Sequence, residues 1–258
     1  MRELLQAIDR YVAGSLSRQR TCVDTPGFWL LLSPEIDMVY VNYAVPTGAA
    51  VDADAVRALV AAFQEHERTP RLEFRAEAHP YLAGTMSEAG FVVEHIQPVM
   101  ACEPSSFTPQ PTPGVEVERL GPDSDLRAFL EVANLAFGME EPVDERKIAR
   151  TRKGVSEGHW NLAMGRIGGV SAGTGYLGPF EGVAELAGIG THPNFRRKGV
   201  ASAVSTVLMD DFFRSGGSLV WLSAGDDGAQ AVYERLGFRT VATQMNMVFV
   251  PTPRESDS

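Results

Sequence analysis

The chain has 258 residues, enough for one large domain or two ordinary ones, and its 44% hydrophobic and 22% charged content is a globular composition that argues against global disorder. A formal net charge of −10 argues against nucleic acid or an anionic membrane as the main partner and mildly favours a cationic or neutral ligand. Cys22 and Cys102 lie far apart, giving neither a disulfide framework nor metal-ligand spacing, so two reduced structural thiols and no metal are expected.

Residues 1–20 carry Glu3, Asp9, Arg10, Arg18 and Arg20 among their apolar positions, unlike a signal peptide. No stretch has the roughly 18 consecutive apolar residues of a membrane span, so a cytoplasmic protein is expected. Leu4, Leu5, Ile8, Tyr11 and Val12 have helical spacing. The apolar runs Phe28–Leu32 and Met38–Ala44, separated by Ser33–Asp37, predict a hairpin-like pair of strands. A helix over Asp52–His66 would bury Val56, Leu59, Val60 and Phe63. A strand at Arg71–Arg75, a short helix at Tyr81–Ala89 closed by Gly90, and a strand at Phe91–Ala101 complete the first half. Four prolines within residues 103–114 then predict an extended linker.

The second half opens with a strand at Val115–Arg119. Asp123 or Ser124 would cap a helix burying Leu126, Phe129, Leu130, Ala133 and Phe137, and a second helix is expected from Val143 to about Val155. Strands follow at Trp160–Arg166 and Val170–Leu177. Beyond residue 198, Val200, Val204, Val207, Leu208 and Phe212 define one buried helical face ended by Gly216-Gly217. A buried strand at Ser218–Ser223, a short helix at Gly228–Leu236 and a long strand at Phe238–Val250 close an α/β arrangement with a mixed sheet.

The stretch from Glu185 to Ala201 concentrates the chemistry. It reads as a strand, a turn carrying Arg196, Arg197, Lys198 and Gly199, and the first turn of a helix beginning near Lys198. Unpaired N–H groups and the positive dipole end favour an anion there, and the three cations add full charges, so a phosphate or pyrophosphate is the expected ligand.

Arg196-Arg197-Lys198-Gly199-Val200-Ala201 fits the pattern Arg/Gln-x-x-Gly-x-Gly/Ala, and Tyr233-Glu234-Arg235-Leu236-Gly237-Phe238 follows near the C-terminus. With both motifs in order, residues from about Val115 to Val250 resemble the GNAT acetyltransferase superfamily. The resemblance implies acetyl-CoA as co-substrate, with its pyrophosphate on the amides of Arg197, Lys198, Gly199, Val200 and Ala201 beside Arg196. Its pantetheine arm and thioester carbonyl would be held by backbone groups of Ile189, Gly190 and Thr191, where the strand splays from its neighbour. Asp226 stands where the family often has an asparagine on the cofactor arm; it reads either as that contact or as a helix cap.

An amine with a pKa of roughly 10.4 needs a general base, which contributes a factor of about 10² to 10⁴. Glu185, eleven residues before Arg196, resembles the glutamate base of the lysine-acetylating branch, acting directly or through water, or is an ordinary polar strand residue. Tyr233 occupies the position of the family's tyrosine general acid, or is a packed tyrosine. His192 beside Pro193 reads as a turn histidine. The implied activity is transfer of an acetyl group from CoA, by direct attack, to the amino group of a small molecule or peptide; a non-catalytic acyl-CoA-binding sensor or assembly module is the second reading. The acceptor pocket is expected to involve Asn134–Glu141, where Glu140 and Glu141 are either a solvated pair or an attraction for a cation.

A shift of 147 residues aligns Pro46 with Pro193, Phe74 with Trp221 and Gly90-Phe91 with Gly237-Phe238 without a gap. The expected fold class is therefore α/β (α+β), two tandem GNAT-like domains, each a mixed, mostly antiparallel sheet flanked by helices. Residues 1–103 would be a degenerate copy, 104–114 the linker, 115–250 the catalytic domain and 251–258 a mobile tail. The shift sets Ala49 opposite Arg196, Asp52 opposite Gly199, Asp54 opposite Ala201, Met38 opposite Glu185 and Met86 opposite Tyr233. Carboxylates at that place repel a pyrophosphate, so the first copy should not bind CoA. Walling the acceptor site, homodimerisation or support of the second domain are the roles open to it.

Overall fold

The computed structural model describes residues 2–18, 20–34, 41–48 and 50–251. Met38 and Ala49, the counterparts of Glu185 and Arg196, lie outside the described residues, as do the first part of the expected hairpin's second strand and the tail from residue 252. Contacts divide the chain into unit 1, Met1–Val99 with Val241–Ser258, and unit 2, Met100–Thr240.

Unit 1 contains α1 (Arg2–Ser17), β1 (Thr21–Thr25), β2 (Phe28–Leu32), β3 (Tyr43–Pro46), α2 (Ala53–Glu65), β4 (Arg71–Arg75), α3 (Leu82–Glu88), most of β5 (Phe91–Cys102) and most of the last strand, β11 (Arg239–Phe249). Strand β1 was not expected from the sequence. It pairs antiparallel with β2 from Thr21–Leu32 to Thr25–Phe28 through Pro26-Gly27, with Gly27 at φ 79° supplying the left-handed turn residue. The strand order is β1-β2-β3-β4-β11-β5, and β3 runs parallel to β4. Alternation along β4 buries Leu72 and Phe74 among Phe28, Leu30, Leu59 and Phe63. Its other face carries Arg71, Glu73 and Arg75: Arg71 donates to Glu94 (2.7 Å) and Glu73, and Arg75 pairs with Asp9.

Unit 2 contains β6 (Glu116–Leu120), α4 (Leu126–Phe137), α5 (Glu145–Ser156), β7 (Asn161–Ile167), β8 (Val170–Phe180), β9 (Val183–Thr191), α6 (Val200–Arg214), β10 (Leu219–Ser223) and α7 (Asp227–Arg235). The order is β5-β10-β9-β8-β7-β6, antiparallel from β6 to β9 and parallel between β9 and β10. Helix α6 covers one face. Glycines make that approach possible, since a Cβ on Gly173 would stand 2.6 Å from a Val200 methyl and one on Gly175 2.8 Å from Val204. Helices α4 and α5 cover the other face over Leu162, Met164, Trp160 and Tyr176. Asp125, rather than Asp123 or Ser124, caps α4 by accepting from Ala128 N–H at 3.0 Å; Ser124 Oγ accepts from Gly121 N–H instead.

The shift of 147 carries α2 onto α6, β4 onto β10, α3 onto α7 and β5 onto β11, within two residues at every end. The domain limits, however, differ from the sequence expectation. Strand β11 belongs mainly to unit 1, registered against β4 from Gln244–Arg75 to Val248–Arg71, while β10 has β5 as its neighbour. Unit 1 thus takes in most of the last strand of the second half of the sequence beside most of the last strand of its own half, a placement that strand composition alone does not reveal. Residues 104–114 are not a free linker either. Thr108 N–H donates to Leu236 O (3.0 Å), Gln110 N–H to Thr206 Oγ1 (3.1 Å), and Phe107 packs on Phe213, so the segment is a strap across α6 and the end of α7. Proline holds it extended, and Gln110 adds a side-chain bond to the helices, its Nε2 donating to Arg235 O at 2.9 Å.

Candidate functional site

The site begins where β9 leaves β10. The parallel register runs from Val183–Leu219 to Glu185–Trp221 and stops there. Against β8, Tyr176 pairs with Ala187 but Thr174 with Gly190, so Gly188 and Ile189 face one residue, a β-bulge. Gly188 takes φ 61°, which a Cβ would make strained and crowd against the Tyr176 ring at 2.8 Å. The bulge re-aims the strand. Ala184 and Leu186 pack in the α6 cluster, so half-buried Glu185 faces the α4 side; beyond the bulge Ile189 is packed on the α6 side and Gly190 lies against Ala136 and Phe137 of α4. Thr191 ends the strand half-buried.

His192 caps the short turn Pro193–Phe195, its Nδ1 accepting from Asn194 N–H at 3.1 Å. The charged loop follows. Arg196, Arg197 and Lys198 are exposed, with Arg197 at φ 61° and Gly199 at φ 78°. Helix α6 starts at Val200, two residues later than expected near Lys198, because left-handed Gly199 is its N-cap and cannot continue the helix. The first helical bond is Ala203 N–H to Gly199 O (3.0 Å). Among the described residues no acceptor is found for the backbone N–H of Arg197, Lys198, Gly199, Val200, Ala201 or Ser202. Six donors at the positive end of a 15-residue helix, with three exposed cations beside them, form a concentrated anion-binding surface.

Two supports of this loop were not legible in the sequence. Arg196 Nη2 reaches the carbonyl of Ala136 at 3.5 Å, and a Cβ on Gly199 would stand 2.5 Å from the Thr112 methyl of the proline-rich strap. Glycine therefore serves both the positive φ and a close approach by Thr112.

Tyr233 lies on α7, 8% exposed, within the α6 cluster and edge-on to Phe238 with ring centroids 5.6 Å apart. Burial, helped by the Asp226 carboxylate, pushes its phenol up to about 12, so it is protonated at neutral pH. Asp226 accepts from Ala229 N–H at 2.7 Å and caps α7, the capping alternative of its two sequence readings. The structure therefore brings the loop 196–201, the splayed end 189–191, Glu185, Asp226 and Tyr233 into one unit. A cavity of about 170 Å³ lined by Val51, His79, Tyr81 and Thr85 lies in unit 1 and holds none of these residues; the chemistry, not that concavity, locates the site. Among the described residues no cluster of three or more His, Cys, Asp or Glu could hold a metal, and no helix is long and apolar enough to cross a membrane.

Residues 126–238 match the model of the acetyltransferase (GNAT) family, from the first residue of α4 to the Phe238 under Tyr233. Unit 2 carries a GNAT N-acetyltransferase domain. The match covers less than half of the chain, but similarity in three dimensions is wider. A GCN5-related N-acetyltransferase from Kribbella flavida is similar over 96% of each chain, with 25% identity and a TM-score of 0.79. One from Sphaerobacter thermophilus is similar over 86% of this chain and 80% of its own, with 18% identity and a TM-score of 0.66. A tandem GNAT protein from the clavulanic acid biosynthesis pathway is similar over 87% and 79%, with 14% identity and a TM-score of 0.62. The last two share the fold. A sequence comparison with curated proteins returned no match. The GNAT domain is thus an acyltransferase domain, and the tandem architecture extends the likeness to unit 1.

Proposed function

We propose that the protein is an acetyl-CoA-dependent N-acyltransferase that moves an acetyl group to the amino group of a small molecule or peptide by direct attack. The observation that carries this reading is the row of unpaired N–H groups from Arg197 to Ser202 beside Arg196, Arg197 and Lys198, donors and charges that fit a pyrophosphate. Acetyl-CoA supplies an acyl thioester whose carbonyl carbon an amine can attack, forming the amide C–N bond as the C–S bond breaks.

Chain residues divide the remaining work. Backbone groups of Ile189, Gly190 and Thr191, freed from β10 by the splay, orient the arm and the carbonyl. Glu185, at the last position of β9 paired with β10, takes the amine proton directly or through water. Tyr233 faces the departing sulfur as a hydrogen-bond donor. A phenol near 12 set against a thiol near 8.5 makes complete proton transfer uphill by several pKa units, so Tyr233 stabilises the thiolate by its O–H bond while the proton arrives from solvent.

Release of the free CoA thiol from acetyl-CoA, followed across an amine panel, tests the reading. Tyr233→Phe is expected to lower kcat roughly ten- to a hundred-fold with little change in acetyl-CoA affinity by calorimetry. An unaltered kcat, where chemistry limits the rate, removes the tyrosine from the mechanism.

A further inference from the structure

The last turn of α4 and the segment after it form an exposed apolar and acidic rim beside the splayed strand. Asn134, only 6% exposed, pins this segment from inside. Its Nδ2 donates to Glu141 O (2.6 Å), its Oδ1 accepts from Lys147 Nζ (3.0 Å), and its backbone O accepts from Met139 N–H (2.9 Å). Gly138, left-handed at φ 67°, turns the chain out of the helix. The residues so presented are open to solvent: Phe137 is 54% and Met139 37% exposed, and Glu140 and Glu141 are exposed with no ion pair recorded for either among the described residues.

Its place gives this rim a function. A Cβ on Gly190 would stand 2.7 Å from Ala136 Cβ and 3.1 Å from the Phe137 ring, so Phe137 rests one part of its ring on the strand that leaves β10 and keeps the rest free. The carbonyl of Ala136 is the group that Arg196 reaches. The end of α4 therefore touches both the splayed strand and the cationic loop, on the face of β9 that also carries Glu185. An aromatic ring and a thioether left exposed there are apolar surface without an internal partner.

Resting on the acyltransferase reading above, we infer that the rim formed by Phe137, Met139, Glu140 and Glu141 selects as acceptor a small amphipathic primary amine, one cationic amino group on an aromatic or aliphatic body. The two carboxylates attract a single cation, and the ring and thioether cover its apolar body. Polycations are disfavoured because the loop of Arg196, Arg197 and Lys198 adjoins the end of α4, where Arg196 reaches the Ala136 carbonyl, and repels a second and third positive charge. Small hydrophilic amines lose the apolar contact.

The test compares kcat/KM on the full chain with acetyl-CoA and phenethylamine, hexylamine, ethylamine and spermidine, read as free CoA thiol. Phenethylamine and hexylamine are expected to exceed ethylamine and spermidine by about ten- to a hundred-fold, the discrimination apolar contacts supply. Phe137→Ala should compress the phenethylamine-to-ethylamine ratio to within about threefold, Phe137→Leu should retain part of it, and Glu140→Gln with Glu141→Gln should raise KM for phenethylamine and weaken its dependence on salt. Turnover without selectivity, preference for spermidine, or a ratio untouched by Phe137→Ala overturns the rim as the selector while leaving acyl transfer standing. Acetyl-CoA binding without turnover of any of the four amines overturns this inference, and the acyltransferase reading falls with it when a wider panel that includes peptide amines also releases no CoA thiol.

Discussion

Helices α2 and α6 occupy the same place in the two halves of the chain but start differently. In α2, Asp52 turns its carboxylate onto Ala55 N–H at 2.9 Å, and Asp54 follows in the first turn. In α6, left-handed Gly199 leaves the first N–H groups open beneath Arg196, Arg197 and Lys198. One start is satisfied by its own acid; the other is left for a ligand's. Further along, fully buried Met86 stands in the first half where Tyr233 stands in the second. The four elements from α2 to β5 are matched within two residues by those from α6 to β11, so the packing that makes this part of the fold and the groups that do chemistry are separable.

The glycine pair that closes α3 and α7 should show the largest contrast. Gly90 and Gly237 both have strongly positive φ, 95° and 98°. A Cβ on Gly90 would meet the edge of the Phe249 ring at 3.1 Å, a side chain that can give way; one on Gly237 would stand 1.9 Å from the carbonyl oxygen of Ser106, in the strap. Gly237→Ala should therefore cost about 3–5 kcal/mol and Gly90→Ala about 1–2 kcal/mol, from left-handed strain with and without overpacking. Urea midpoints with unchanged slopes measure both. Equal costs would mean that the strap yields as readily as a phenylalanine ring.

Next in size is the transplant of one helix start into the other. Gly199→Asp should weaken acetyl-CoA binding by more than about a hundred-fold, since a carboxylate replaces a place where charge-assisted contacts contribute roughly 1.5–3 kcal/mol each. Because Thr112 crowds that position, Arg196→Ala provides a milder change at an exposed residue; a loss of about ten- to a hundred-fold is expected by calorimetry. The reverse change, Asp52→Gly, should confer no CoA binding, because Ala50 and Val51 supply no cations. Full affinity in Arg196→Ala would take the loop out of the cofactor site.

Much of this contrast was legible before any coordinates. Periodicity located α6 and its buried face, the constant shift of 147 located the repeat, and the cations with Gly199 located the loop. What stayed hidden depends on contacts distant in sequence. The placement of β11 in unit 1 cannot be read from strands equally apolar in both halves, and the strap looked like a linker because prolines signal extension without saying what lies beneath. The bulge at Gly188 and Ile189, which sets Glu185 and Gly190 on one face, is a matter of register with β8. Strand β1 was missed because Thr21–Thr25 alternates polar and weakly apolar residues and is mostly exposed.

Alkaline titration separates Tyr233 from Met86 by another route. The Tyr233 phenol is raised from 10.0 to about 12, so its neutral form is favoured by folding. That stabilisation is complete below pH 10 and is lost as pH rises through 12, an effect of about 2–3 kcal/mol. Tyr233→Phe should remove this part of the alkaline decline, and Met86 gives the first half no equivalent. An identical decline in the variant would assign it to other groups.

The smallest expected effect concerns the two aspartate caps. Asp52→Ala and Asp226→Ala each remove one bond to an N–H three residues on, worth about 1 kcal/mol of stability, and chemical denaturation should give similar losses. The helices differ in what lies next to the cap. Asp226 is the charge that assists burial in raising Tyr233, so Asp226→Ala should lower the phenol's pKa from about 12, visible in its ultraviolet titration, whereas Asp52→Ala should leave it in place. If Asp226 acts only as a cap, acetyl-CoA affinity stays within about twofold. A loss of tenfold or more would mean that its carboxylate also accepts from the cofactor arm, and the difference between the helix starts would then extend from α6 to α7.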